Sequence, residues 1–151
     1  MNLKISVTKE QGLELYIVRN ETNDRVYVMR ERYLFFKKEL QLYDAHKKYI
    51  AEILVPFGKK KYTFKENDKV IDEMQKVLNT NRTQYKLAES KWTLDVDITY
   101  TDYTISDENN EVIAEVKYNL PDRAWLVNIN KTKNITLTML LLLSIVSISQ
   151  N

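Results

Sequence analysis

Cysteine is absent from this 151-residue chain, which removes disulfides, thiolate metal centres and cysteine nucleophiles from consideration together. Glycine occurs only twice. Phosphate-cradling loops and the dinucleotide fingerprint both need backbone that approaches a phosphate without a Cβ in the way, so this scarcity disfavours nucleotide binding by those routes. Histidine occurs once, at position 46, which is too few for a histidine metal site. No serine or aspartate spacing marks His46 as part of a triad, and its neighbours Asp44 and Lys47 read as a surface turn. The residues imply no cofactor and no metal.

Long apolar runs are also missing, with one exception. Residues 135–148 read Ile-Thr-Leu-Thr-Met-Leu-Leu-Leu-Leu-Ser-Ile-Val-Ser-Ile. As a helix of about 14 residues this run reaches about 21 Å, short of the roughly 30 Å of a bilayer's hydrocarbon core. A helix that is apolar nearly all round must still be covered on every side, and protein can supply that cover. The expectation is a buried central helix over 134–149, capped by Asn134 and not inserted across a membrane. On that helix Thr136, Ser144 and Ser147 form a narrow, weakly polar side suited to close approach.

Hydrophobic residues make up 44% and charged residues 29%, a balance that suits one domain spanning 1–151 with a substantial core. The first ten residues carry charges where a secretory signal needs an apolar run, which predicts a cytoplasmic protein. The net charge of +2 conceals a segregation. Arg30 to Lys65 holds ten Lys/Arg against four Asp/Glu, and Gln84 to Asp122 holds three against nine. Either the two segments face each other in the fold or they form a basic and an acidic face.

A phrase is repeated along the chain. Leu42-Tyr43-Asp44-Ala45-His46-Lys47-Lys48-Tyr49-Ile50-Ala51-Glu52-Ile53 returns 63 residues later as Ile105-Ser106-Asp107-Glu108-Asn109-Asn110-Glu111-Val112-Ile113-Ala114-Glu115-Val116. Each copy reads as strand, polar turn and strand, the composition of a β-hairpin. Looser versions run from Leu15 to Met29, turning at Asn20 to Asp24, and from Tyr62 to Met74, turning at Glu66 to Lys69. Alternation at Leu13, Leu15 and Ile17, and at Trp92, Leu94, Val96 and Ile98, adds further strands. Val70, Ile71, Met74, Val77 and Leu78 in Lys69 to Asn79 sit at helical spacing, yet Val70 to Met74 falls in register with the hairpin phrase. That register favours strand. The class is mainly β.

The hairpin phrases, followed by Ala124-Trp125-Leu126-Val127-Asn128-Ile129 and the leucine-rich end, resemble the LURP-one-related group of the tubby C-terminal-like superfamily, which also holds the phospholipid scramblases. The resemblance spans roughly residues 12 to 148. It implies a closed antiparallel β-barrel of about twelve strands around a hydrophobic C-terminal helix, with no exposed strand edges. Tubby proteins bind phosphoinositides through basic residues, and scramblases are associated with membrane lipids and calcium. No stretch of this chain matches the tubby lipid-binding motif residue by residue, and no acidic loop has calcium-binding spacing, so no family site is carried over.

The candidate binding residues are Lys59, Lys60 and Lys61, with Lys47 and Lys48 close in sequence and Lys37 and Lys38 as candidates to join them. Clustered ammonium groups hold anionic phospholipid headgroups, while the same lysines also serve as solvated hairpin edges. Asp95 and Asp97, with Asp102 nearby, read as a solvent-facing acidic strand, and Trp92 and Trp125 as core. The favoured expectation is a non-enzymatic domain that meets anionic phospholipid or a protein partner through its lysine-rich hairpins. Nucleic acid is opposed by the small net charge and the acidic segment. The alternatives are a scramblase-like membrane-associated protein with a C-terminal tail anchor, and an enzyme with a site inside the barrel.

Overall fold

The computed structural model describes residues 1–11, 13–56, 61–77, 82–97 and 99–149. Twelve strands precede one helix: β1 (Asn2–Glu10), β2 (Leu13–Arg19), β3 (Arg25–Tyr33), β4 (Lys37–Asp44), β5 (Tyr49–Pro56), β6 (Lys61–Glu66), β7 (Lys69–Lys76), β8 (Thr83–Leu87), β9 (Thr93–Val96), β10 (Asp102–Ser106), β11 (Val112–Asn119), β12 (Ala124–Ile129) and α1 (Ile135–Ser149). Each strand pairs antiparallel with its predecessor in the chain, and β1 closes the ring on β12 with Leu3 opposite Val127 and Ile5 opposite Trp125. The barrel therefore has no free edge to recruit another strand.

The repeated phrase is one turn used several times. Asp44 accepts the backbone N–H groups of His46 and Lys48 at 2.8 and 2.9 Å, and Asp107 accepts those of Asn109 and Glu111 at 2.9 and 3.0 Å. Asn20 does the same for Thr22 and Asp24. In each turn the residue three places on, Asn23, Lys47 or Asn110, takes a left-handed φ of 63 to 68°. The aspartate or asparagine side chain thus replaces a strand partner for two amides while the left-handed residue reverses the chain. A register shift accompanies the hairpins β2–β3, β4–β5, β6–β7 and β10–β11. Lys69–Lys76 is a strand, as its register with the hairpin phrase predicts; Leu78, Asn79 and Ile98 lie outside the described residues.

α1 fills the barrel. Leu137 to Ile148 are all buried, and the helix packs on β4 and β5 and, across the barrel, on β10. Asn134 caps it, accepting the N–H of Leu137 at 3.2 Å, and Ser144 and Ser149 satisfy their hydroxyls on carbonyls one turn back. The wall contributes inward residues at period two, such as Leu40 and Leu42 on β4 and Ala51 and Ile53 on β5. On β2 the inward residues are Tyr16 and Val18, so the alternation of Leu15 and Ile17 marks the opposite face, which is buried as well. Four consecutive apolar residues carry no information about which pair faces the helix.

Candidate functional site

Strand direction sorts the connections onto two rims. The turns that follow β2, β4, β6, β8 and β10 lie at the rim where the chain enters the barrel as α1. The turns that follow β1, β3, β9 and β11 lie at the far rim, where α1 ends with Ser149 Oγ 2.7 Å from the Tyr103 hydroxyl and Trp125 Nε1 donates to it at 3.4 Å.

This sorting separates the candidate lysines. Lys47 and Lys48 are exposed in the β4–β5 turn at the entry rim. Lys61 opens β6 at the far rim, ion-paired with Glu73 at 2.9 Å. Between them runs β5, whose eight residues at about 3.3 Å each put roughly 26 Å of strand between the two groups. Lys59 and Lys60 lie outside the described residues. Lys37 stands at the far rim, 4.0 Å from Glu39, and Lys38 points inward instead, buried 4.0 Å from Glu31. Lys47 and Lys48 therefore stand at the opposite rim from Lys61: closeness in sequence becomes distance once a full strand intervenes.

The remaining sequence candidates have structural partners. Asp95 accepts from Gln84 and pairs with Arg82, whereas Asp97 closes the β9–β10 turn, its carboxyl held below the usual range first by the Thr99 hydroxyl and then by backbone N–H groups. His46 is exposed in its turn. Trp92 is buried and donates to Glu108 at 3.0 Å, and Lys133 holds the same carboxylate at 2.5 Å, drawing its pKa below the ordinary value. Among the described residues no three histidine, cysteine or acidic side chains group as metal ligands.

The sequence reading overlooked the β3–β4 turn. Leu34 N–H donates to the Lys37 carbonyl at 2.8 Å, leaving Phe35 and Phe36 at the tip, 87% and 75% exposed, with ring centroids 4.4 Å apart. Hairpin tips ordinarily carry glycine, asparagine or aspartate. Neither the turn nor the core requires aromatic rings here, and the signal was legible as two phenylalanines set between two strands.

The far rim also holds a cleft of about 770 Å³ beside the end of α1, lined by residues including Lys9, Glu14, Tyr118, Arg123 and Trp125. Burial first, then the nearby Glu31 and Glu14 carboxylates, raises the pKa of Tyr16 close by, and burial also raises that of Glu31 despite the pull of Lys38.

Around the barrel the charge segregation becomes spatial. Because strand order equals chain order, Arg30 to Lys65 occupies the sector from the end of β3 to β6, and Gln84 to Asp122 the sector from β8 to the end of β11. With twelve strands in the ring, β4 stands opposite β10. The basic and acidic segments therefore form two faces of one barrel.

No protein-family model matches the sequence, and no curated protein does. Among solved structures, the fold is similar to that of an Arabidopsis thaliana protein determined by X-ray crystallography, with a TM-score of 0.68 over 98% of this chain and 91% of that one. The two sequences are 6% identical, so the likeness establishes the fold alone.

Proposed function

We propose that this chain is a non-enzymatic, cytoplasmic member of the LURP-one-related group that binds anionic phospholipid surfaces peripherally through its basic sector. The observation that carries this reading is the charge map. Among the described residues of this sector seven solvent-facing cations stand against three solvent-facing acidic residues, Lys38 and Glu31 being buried against each other, while the acidic excess lies on the opposite side of the barrel. Near an anionic bilayer each such cation contributes about 1 kcal/mol, so a handful suffices for reversible attachment. The twelve-strand barrel around a C-terminal helix is the arrangement that the family resemblance implies. The filled barrel supports a non-enzymatic role, since α1 takes the interior volume in which an internal active site would lie.

No described helix is long and apolar enough to cross a membrane, and α1 is enclosed by the barrel, so attachment is assigned to the surface and not to a tail anchor. Flotation of the detergent-free protein with vesicles tests this reading. Binding to phosphatidylcholine vesicles that contain phosphatidylserine, weakening as salt is raised, is expected. Equal partition to phosphatidylcholine vesicles, or none to either, would overturn it.

A further inference from the structure

We infer that the β3–β4 tip is a membrane-penetrating wedge: Phe35 and Phe36 enter the headgroup and upper acyl region of an anionic bilayer while Arg32 and Lys37 engage the phosphates beside them. This inference rests on the peripheral-binding reading and adds to it which end of the barrel meets the lipid and how.

Three observations converge on the tip. First, Phe35 and Phe36 are the two most exposed large apolar side chains among the described residues, and they are adjacent. Second, they crown a turn whose chemistry gives no reason for them. Each of the other described hairpin turns places at least one residue in the left-handed region, from Asn23 and Lys47 to Tyr100 and Arg123, whereas Phe35 and Phe36 keep negative φ. Third, the tip belongs to the basic sector. Its strands carry Arg30 and Arg32 outward on β3, with Lys37 at the start of β4; of the two acidic residues near the tip Glu31 is turned inward onto Lys38, and Glu39, opposite Arg32 and 4.0 Å from Lys37, leaves the outer face there with a cationic excess of two.

Shape favours a bilayer over a folded partner. A stable protein interface buries about 800 Å² on each side with close complementarity, whereas two phenyl rings on a convex tip present about half of that. A bilayer closes around a convex apolar tip without a preformed pocket, and aromatic rings flanked by Lys and Arg are the composition favoured at its interface. Leu120, 71% exposed in the β11–β12 turn, stands on the same rim but as a single exposed large apolar side chain, beside both Asp122 and Arg123. The paired rings and the cationic excess together favour the β3–β4 side as the one that meets the bilayer.

The experiment compares the full chain with Phe35→Ser/Phe36→Ser on phosphatidylcholine and phosphatidylcholine/phosphatidylserine vesicles, together with Phe35→Trp on vesicles whose acyl chains are brominated. Because both rings are exposed, the double variant should keep the parent's circular dichroism and melting temperature. It should lose at least tenfold in partition to the anionic vesicles, and the tryptophan at 35 should be quenched by bromine while Trp92 and Trp125 in the parent are not. Parental binding with an unchanged double variant and no quenching overturns the wedge and leaves peripheral binding standing. Failure of the parent to bind any vesicle overturns both. A dimer of the parent that becomes a monomer in the double variant shows that a second copy covers the rings, and overturns the wedge as well.

Discussion

At the scale of single residues, several polar side chains take the place of a strand's hydrogen bonds. Asp72 is almost fully buried on β7, yet it accepts three backbone N–H groups, from Glu73, Glu89 and Ser90, at 2.8, 2.9 and 3.1 Å. It ties the β8–β9 turn to β7. Asp72→Ala leaves those amides without their acceptor and should cost about 3 kcal/mol in chemical denaturation. Lys47 is the converse case. It occupies the left-handed position that Asn23 and Asn110 hold in the sister turns, at φ 65°. A lysine there bears steric strain that asparagine tolerates, so Lys47→Asn should raise stability by about 0.5 to 1 kcal/mol, read as an increase in melting temperature. The repeated phrase makes this comparison legible in the sequence, since Asp44 and Asp107 stand at the same place in it. Asp72 was not legible, because an acidic residue in a β-strand, here followed by Glu73, signals an outward position, and only the folded chain shows the β8–β9 turn beneath it.

At the scale of elements, α1 and the hairpins account for each other. A helix with leucine on every side is stable in water only when enclosed, and twelve strands closed into a ring supply that enclosure. Leu141→Asp places an unpaired charge in this interior at a cost of several kcal/mol, against a total stability of about 5 to 15 kcal/mol. The variant should fail to give a cooperative unfolding transition. A folded, cooperative Leu141→Asp protein would show that the helix is not central. The helix was readable because its apolar run is unbroken, and most hairpins because their turns carry aspartate and asparagine at fixed offsets. The β3–β4 hairpin escaped notice for a related physical reason. With Tyr33, Leu34, Phe35 and Phe36 in sequence, its tip looks like strand and lacks the residues by which a turn is recognised.

At the scale of the whole molecule, a meander closed on itself converts position along the chain into position around a cylinder. The basic and acidic segments could not be placed from sequence, because their relation depends on the number of strands between them. With β10 six places from β4 in a ring of twelve, they point apart. The same closure sends Lys47 and Lys48 to one rim and Lys37 and Lys61 to the other, which sequence proximity had concealed. With strands tilted about 40° the rims stand roughly 20 Å apart, more than twice the Debye length of about 8 Å at physiological salt. If the far rim meets the lipid, Lys37→Glu/Lys61→Glu should reduce partition to phosphatidylserine-containing vesicles at least tenfold, and Lys47→Glu/Lys48→Glu should change it less than threefold, in parallel flotation assays.

The absence of cysteine makes the most direct test simple, since one introduced cysteine is a unique labelling site. Phe36→Cys and His46→Cys, each carrying a nitroxide, mark the far rim and the entry rim. On phosphatidylserine-containing vesicles, the label at 36 should become shielded from a water-soluble relaxation agent and accessible to oxygen, while the label at 46 stays as exposed as in solution. Shielding at 46, or equal exposure at both positions on vesicles that the protein has bound, would contradict attachment through the far rim.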